Sequence, residues 1–189
     1  GGKIVPENIG DPIIGASMGM APNESYWAAE SSEMEFHPNC HNIIYLGKDN
    51  QLFKSSDGGT LFSAIHTFGV GSIVTYIEIS RDAPQVQYAV VRGSGSCSLY
   101  KTEDEWSTAI NLTLPISSSK GLIAIDPSND KNIWFAFPYG PNGNKVYKSI
   151  DGGINWTNIT SSELNGHSIH SMVHIGGTDG GIYLGTFIF

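Results

Sequence analysis

The chain has 189 residues, of which 10 are basic and 18 are acidic, so its formal net charge is −8. Charged residues make up 15% of the chain and aromatic residues 11%, and there are 23 glycines, a balance typical of a turn-rich all-β protein. The acidic charge excludes the basic footprint that a nucleic-acid partner requires, and no apolar run approaches the ~20 residues of a membrane-spanning helix. We therefore expect neither nucleic-acid binding nor membrane insertion.

Residues 1–33 contain no copy of the repeat described next. We predict that they form an N-terminal extension or the end of a preceding blade, with a short helix possible from Glu24 to Glu33.

An internal repeat of 47 residues organises the rest of the chain. Lys54–Phe62 and Lys148–Trp156 share the pattern Lys-Ser-x-Asp-Gly-Gly-x-x-aromatic, and Asp151 follows Asp57 by 94 residues, twice 47. Asp104 lies halfway between them, in a shortened copy that lacks the glycines.

A second motif keeps the same register. Ahead of each aspartate come two apolar strands joined by a turn that contains Pro38, Pro84 or Pro127. Each unit therefore predicts four short strands, A to D, and such units of about 40–50 residues are typical of β-propeller blades. The predicted units are blade 1 at 34–66, blade 2 at 73–112, blade 3 at 121–160 and the first two strands of blade 4 at 170–189. The fold class is thus an all-β propeller with about three and a half four-stranded antiparallel blades.

The aspartate turns are predicted to be structural. A short acceptor side chain binds the amides that follow it, and glycine adopts backbone angles that other residues resist. Calcium is an alternative ligand for an Asp-x-Gly run, but the sequence lacks the further oxygen ligands of a calcium loop. The residues given this structural role are Ser55, Asp57, Gly59, Phe62, Asp104, Trp106, Ser149, Asp151, Gly153 and Trp156.

The pattern Ser-x-Asp-x-Gly-x-x-Trp resembles the Asp-box, or BNR repeat, of sialidases, xyloglucanase-type glycoside hydrolases and sortilin-like receptors. Ser149–Trp156 match it in full, Ser55–Phe62 match with Phe in place of Trp, and Thr102–Trp106 resemble a degenerate copy. Residues 177–186 are also similar to propeller segments of secreted bacterial proteins, including type IX secretion cargo. The resemblance implies a secreted or cell-surface propeller whose ring is completed by missing blades or by a partner chain.

The resemblance also implies that ligands bind the face that carries the B–C and D–A loops, opposite the aspartate turns. The candidate ligand-binding residues on that face are Asp49, Asn50, Arg92, Tyr139, Asn142 and Asn144. Tyr139, with asparagines nearby, is suited to stack on a sugar ring, and a packed Tyr in a Pro-Gly turn is the alternative. The D–A connections add His66, Ser117–Lys120 and Asn165–His167.

Enzyme activity is the alternative to binding. A sialidase clamps its substrate with three arginines, and this chain has two, of which Arg81 lies in an A–B turn on the opposite face. A glycoside hydrolase needs two carboxylates about 5–10 Å apart, and Asp49 is the one carboxylate that we place on the ligand face. Catalytic residues are therefore unknown, and hydrolysis would require acids from missing blades.

Neither the histidines nor the cysteines predict a metal or cofactor site. His170 and His174 are predicted to share one strand face about 13 Å apart, too far for one metal ion. Cys40 and Cys97 are expected on opposite faces, as two separate thiols.

The sequence thus favours a non-catalytic recognition or scaffold propeller with a glycan or protein ligand. The alternatives are part of a xyloglucanase-type glycoside hydrolase and the ordered part of an adhesin or secretion cargo. A pair of acids facing each other across the central channel would favour the enzyme. Because the chain ends within the apolar strand Thr186–Phe189, we expect a fragment of a larger protein.

Overall fold

The computed structural model of the protein describes residues 33–138, 144–175 and 181–188. It contains three four-stranded antiparallel sheets, here blades 1 to 3, and a two-stranded sheet, the half-blade. Blade 1 comprises β1 (Glu33–Phe36), β2 (Ile44–Lys48), β3 (Gln51–Ser55) and β4 (Ser63–Thr67), and blade 2 comprises β5 (Ile73–Ile79), β6 (Gln87–Arg92), β7 (Cys97–Thr102) and β8 (Ile110–Leu112). Blade 3 comprises β9 (Leu122–Asp126), β10 (Asn129–Phe137), β11 (Lys145–Ser149) and β12 (Thr157–Asn158), and the half-blade comprises β13 (His167–His174) and β14 (Ile182–Ile188).

A short 3-10 helix, Ser162–Leu164, precedes the half-blade. The predicted N-terminal extension and its possible helix lie outside the described residues, apart from Glu33 at the start of β1.

The first strand of each sheet faces a common axis. Strand order within each blade follows the chain, so β1, β5 and β9 each lie at one edge of their sheet. β1 contacts β5, β5 contacts β9, and β9 contacts β13. The later strands of each blade extend outward from this axis. The protein is therefore a partial β-propeller, which confirms the predicted fold class.

Burial on both faces explains why the second strand of each blade is almost wholly apolar. On β6, Ala89 and Val91 pack into a core shared with blade 1, while Tyr88 and Val90 pack into a core shared with blade 3. Successive side chains of a strand point to opposite faces, so a sheet held between two neighbours needs apolar residues at every position. Trp134 of β10 extends the packing to the half-blade.

Each turn between the third and fourth strands of a blade is stabilised by hydrogen bonds around one aspartate. In blade 1 the Ser55 hydroxyl donates to Asp57 Oδ1 at 2.7 Å, and the Gly59 amide donates to Ser55 Oγ at 2.9 Å. The Leu61 amide donates to Asp57 Oδ1 at 3.0 Å. Gly59 has a φ of 94°, a left-handed angle that glycine adopts without strain.

Blade 3 repeats the same bonds around Ser149 and Asp151. Hydrogen bonds from the Asn155 amide and side chain, together with the Ser149 hydroxyl, lower the pKa of Asp151 to about 2. The carboxylate therefore binds its own turn.

The blade 2 turn corrects one detail of the sequence interpretation. The Trp106 amide donates to Thr102 Oγ1 at 2.9 Å, the bond that the second glycine makes in the other two turns. Trp106 thus takes the place of a glycine, with a φ of 74°, and is not the terminal aromatic residue of a shortened motif. Its ring is 1% exposed, and its Nε1 donates to Gln87 Oε1 at 2.6 Å. Burial and this bond hold a left-handed angle that a tryptophan rarely adopts.

The two ends of the propeller axis differ in the loops that they carry. The aspartate turns meet the A–B turns, since the Gly58 amide donates to the Asn42 carbonyl at 2.9 Å and the Gly152 amide to the Lys131 carbonyl at 2.9 Å. We call this end the turn face. The opposite end, with the B–C and D–A loops, is the loop face.

A lysine–aromatic pair recurs in every blade. Lys54 Nζ lies 5.5 Å from the Tyr45 ring centroid, and the corresponding pairs in blades 2 and 3 are Lys101 with Tyr88 and Lys148 with Trp134. In blade 1 both members of the pair reach forward and bind the Glu105 carboxylate of blade 2. In blade 2 the Tyr88 hydroxyl donates to the Gly152 carbonyl of blade 3 at 3.3 Å. Trp134 stacks on His174 of the half-blade, with the ring centroids 4.6 Å apart.

Candidate binding site

A cavity of about 520 Å³ opens near the axis on the loop face, and we call it the axial cavity. Blade 2, blade 3 and the half-blade all contribute to it. Its lining includes Thr75, Tyr76, Arg92, Lys120, His170 and Phe187. Such a volume is typical of pockets that hold small ligands.

Backbone packing positions the cationic wall of the axial cavity. Gly121, next to Lys120, lies so close to blade 3 that a Cβ there would approach a Phe135 ring atom to 2.1 Å. A side chain at this position would clash with the Phe135 ring, so the glycine allows the segment to pack directly against blade 3. Lys120 lines the cavity beside this glycine, and Arg92 lines it from the end of β6.

The axial cavity combines cations with aromatic rings. His170 lies edge-to-face against Phe187, with the ring centroids 6.2 Å apart. Burial, with the charge of Glu78 as the next cause, raises the pKa of Tyr76, so its hydroxyl stays protonated at neutral pH. Among the described residues that line the cavity, none is a carboxylate.

A second cavity of about 310 Å³ lies on the loop face between blades 1 and 2, and we call it the interblade cleft. The loop 69–72 forms one side, and Ser94, Ser96 and Ser98 bring hydroxyl groups to the other. Tyr100 lines it as well, and its ring packs against Phe68 with centroids 4.8 Å apart. The cleft is uncharged and rich in hydroxyl and backbone groups.

The two blade 1 candidates hold a loop in place. Asp49 is exposed with a φ of 49°, and its carbonyl accepts from the Val74 amide at 2.8 Å. The Asn50 side chain donates to the Phe68 carbonyl at 2.9 Å. These bonds connect the B–C loop of blade 1 to the segment that leads into blade 2.

The remaining candidate residues do not share one site. Arg92 lines the axial cavity, whereas Asn144 is half-buried with a φ of 59° and has a buried Oδ1 that bonds to no described atom. Tyr139 and Asn142 lie outside the described residues. Of the D–A stretches, Lys120 lines the axial cavity, and His66 packs against the rings of Phe68 and Trp106.

A third cavity, of about 480 Å³, opens on the turn face and contains carboxyl groups that the sequence interpretation missed. Its lining includes Glu35, Glu78, His37, His41, Arg81 and His174. Glu35 and Glu78 come from the neighbouring inner strands β1 and β5. A single polar residue in each of the apolar runs Met34–Phe36 and Ile77–Ile79 was the available signal.

Burial raises the pKa of the two carboxyl groups that line this cavity and of Glu33, which also belongs to β1. Desolvation, then the charge of Glu35, raises the pKa of Glu78 to about 8. Desolvation raises the pKa of Glu33 to about 7, again with Glu35 as the second cause, and desolvation raises the pKa of Glu35 itself.

The two half-blade histidines do not line the same cavity. His170 lines the axial cavity and His174 lines the turn-face cavity, toward opposite ends of β13. The pairing of β13 with β14 shifts register between Ile169 and Ser171, which indicates a β-bulge at His170. Within residues 33–138, 144–175 and 181–188, no group of three or more His, Cys, Asp or Glu side chains is arranged to hold a metal ion.

The cysteines are both free: Cys40 is exposed and Cys97 is buried. Burial raises the pKa of the Cys97 thiol to about 11. In the described part of the chain, no helix has the length and apolarity that a bilayer crossing requires.

Comparison with known proteins shows likeness to a xyloglucanase, to a GH74 enzyme and to YCF48. A xyloglucanase of Hypocrea jecorina (strain QM6a) is 24% identical over 149 residues, which cover 77% of this chain and 17% of the enzyme. The crystal structure of the Niastella koreensis GH74 enzyme is 27% identical with a TM-score of 0.55, covering 68% of this chain and 22% of that one. YCF48 from Cyanidioschyzon merolae is 17% identical with a TM-score of 0.57, covering 77% and 48%. These likenesses place the chain among the β-propellers.

No protein-family model matches the sequence. The chain spans less than a quarter of the length of both the xyloglucanase and the GH74 enzyme.

Proposed function

We propose that this chain is a non-catalytic recognition module of a secreted or cell-surface protein, and that it binds a glycan on its loop face. The loop face carries two cavities, and the described residues that line them supply cations, hydroxyl groups and aromatic rings but no carboxylate. Hydrolysis of a glycosidic bond requires a pair of carboxyl groups, whereas binding requires only complementary surfaces. This chemistry of the loop face carries the proposal.

A glycan is the ligand class that fits the interblade cleft best. Three serines and the backbone of the loop 69–72 offer donors and acceptors without net charge, and Tyr100 adds an aromatic surface. A neutral sugar presents hydroxyl groups together with apolar C–H faces. The likeness to a xyloglucanase and to a GH74 enzyme supports the same class.

The proposed module acts together with further blades or with a partner chain. Met34 and Phe36, on the face of β1 that points away from blade 2, are 45% and 47% exposed, and Tyr183 of β14 is 62% exposed. Another β-sheet packed on these outer faces would bury them, as blade 2 is buried by its neighbours. YCF48 has been solved with a bound D1 peptide, so a protein ligand is the competing outcome for this fold.

Calorimetric titration of the chain with soluble xyloglucan tests the glycan proposal. We expect saturable binding that Ser94→Trp weakens by about tenfold or more, because the indole fills the interblade cleft. Ser56→Trp is the matched control, since Ser56 is an equally exposed serine on the turn face. Absence of binding to xyloglucan, or equal binding by both variants, would reject the proposal.

Glycoside hydrolysis is the second candidate, and the carboxyl groups of the turn-face cavity are the observation that favours it. If Glu78 acts as a general acid, the chain should release new reducing ends from xyloglucan, and Glu78→Gln should abolish that release while binding persists. Binding without any release of reducing ends by the unaltered chain would exclude this candidate.

A further inference from the structure

Tyr183 is the fourth member of a series of aromatic residues that recurs in the second strand of each sheet. The series is Tyr45, Tyr88, Trp134 and Tyr183. The sequence Ile-Tyr-Leu-Gly around Tyr45 occurs again, without change, at residues 182–185. The second strand of the half-blade therefore repeats the second strand of blade 1 residue by residue at this position.

In blades 1 to 3 this aromatic residue lies directly opposite a lysine of the third strand. The pairs are Tyr45 with Lys54, Tyr88 with Lys101 and Trp134 with Lys148. The lysine Nζ atoms lie 5.5, 5.9 and 5.0 Å from the respective ring centroids, and all three aromatic residues are 0% exposed. A cation over an aromatic face is attractive, and the lysine stem covers apolar surface. The recurring pair therefore joins the third strand to the second.

Tyr183 occupies the same place in its sheet but is not covered in this way. It is 62% exposed, and Val173, which pairs with it from β13, is 55% exposed. Ile182 and Leu184 pack toward blade 3, so the alternation of β14 points Tyr183 away from blade 3. The corresponding aromatic residues of blades 1 to 3 point toward the sheet that follows in the chain. The outer face of the half-blade thus presents the same residue, in the same direction, to a site that a further sheet would fill.

We propose that β14 pairs with the third strand of a further blade and that a lysine of this strand lies over the Tyr183 ring. In the described part of the chain, residues 182–186 pair with β13 and with no second strand, whereas β2 pairs with β1 on one side and with β3 on the other. The inference rests on the proposed association with further blades and names the contact through which β14 recognises one. It does not depend on the glycan ligand.

The third and fourth strands of blade 1, residues 51–67, are the probe for this contact, because β14 repeats the strand that they cover in blade 1. Titration calorimetry of the full chain with a synthetic peptide of residues 51–67 should show saturable binding. The register of blade 1 places Lys54 of the peptide opposite Tyr183. A peptide with Lys54→Met keeps an apolar stem without the charge, and we expect it to bind at least about threefold more weakly.

Variants of the full chain then assign the binding to the ring of Tyr183. Tyr183→Ala should weaken binding of the unaltered peptide by about tenfold or more, and Tyr183→Phe should stay within about twofold because the ring remains. Ile150→Ala is the control, since Ile150 is a 70% exposed apolar residue in the aspartate turn of blade 3. Circular dichroism and thermal unfolding show that each variant is folded.

The outcomes separate this contact from the functions proposed above. If the peptide does not bind, or binds equally to Tyr183→Ala, both the lysine contact and the association of β14 with a further blade are rejected. If the Lys54→Met peptide binds as tightly as the unaltered one, the association stands and the lysine contact is rejected. A dimer in sedimentation that Tyr183→Ala dissociates would assign the face to a second copy and reject the inference. Xyloglucan binding by Tyr183→Ala should be unchanged, because Tyr183 does not line the interblade cleft, so the glycan function is judged separately.

Discussion

The turn face and the loop face of this propeller use polar groups in opposite ways. On the turn face, the Asp57 and Asp151 carboxylates accept hydrogen bonds from backbone amides of their own turns. Their hydrogen-bonding groups therefore stabilise the turn. On the loop face, Arg92 and Lys120 line a cavity of about 520 Å³. The comparison teaches that the repeat is conserved along the chain where it stabilises the fold, and that the segments that vary between blades provide the cavities.

The blade 2 turn shows how far the repeat can change without losing its hydrogen bonds. It lacks both glycines, and Glu105 and Trp106 have φ values of 54° and 74°. In compensation, the Glu105 carboxylate binds Lys54 of blade 1, and the Trp106 ring is buried between the blades. A contact between blades therefore stabilises a backbone angle that the local sequence opposes.

Removal of the Trp106 ring should produce the largest effect. Trp106→Ala empties a fully buried site and leaves Gln87 without its partner, so we expect a loss of about 3–5 kcal/mol in the free energy of unfolding. Urea titration measures it. Trp156→Ala should cost clearly less, because Trp156 is half-buried and its Nε1 has no hydrogen-bond partner among the described atoms. Equal losses of unfolding free energy in the two variants would show that the deeper burial of Trp106 does not make it more important for stability than Trp156.

Loss of the blade 3 hydroxyl should have an intermediate effect. Ser149 is 1% exposed, accepts from the Gly153 amide at 2.9 Å and donates to Asp151, so Ser149→Ala should cost about 1–2 kcal/mol. Ser56→Ala, which alters an exposed serine, is the control for chemical denaturation. Xyloglucan binding by Ser149→Ala should be unchanged while the variant is folded, and a selective loss of binding would contradict the division between the faces.

The inner-strand carboxyl groups predict that stability falls as the pH rises. The folded pKa of Glu78 is about 8 and its ordinary value is 4.5, so the folded state binds the proton more tightly than the unfolded state. The stability that this proton provides is complete below pH 4.5 and is lost as the pH rises through about 8.

Glu78→Gln should therefore stabilise the protein at pH 8 by at least about 1.4 kcal/mol, the equivalent of one pKa unit, and should flatten the pH profile. Thermal unfolding between pH 5 and pH 9 measures both effects, with exposed Glu163→Gln as the control. A profile with the same slope in the Gln variant would assign the pH dependence to other groups.

The fold class was accessible from sequence because its signal is local and repeated. The 47-residue spacing of Asp57, Asp104 and Asp151 fixes a unit, and a four-stranded unit has few ways to bury both faces. The axial cavity was not accessible in the same way. Arg92 was a predicted candidate and Lys120 fell in a predicted loop, but their meeting with His170 depends on how three sheets are arranged around an axis.

The turn-face site of Glu35 and Glu78 could not be predicted from the sequence either. Each is one acidic residue within an apolar strand, and only the neighbouring blade determines whether its carboxyl group reaches solvent. The bulge at His170 is a third case, since the alternation of β13 predicts a regular strand and the pairing with β14 departs from it.

The forward direction of the lysine–aromatic contacts has a consequence for synthesis. Lys54 and Tyr45 bind Glu105, and Tyr88 binds Gly152, so each blade obtains its partner from the blade that follows it in the chain. During synthesis the N-terminal blades emerge from the ribosome first. Each blade must therefore remain without these hydrogen-bond partners until the next blade has emerged. The propeller then grows around its axis, because each newly made blade supplies the partner atoms of the blade before it.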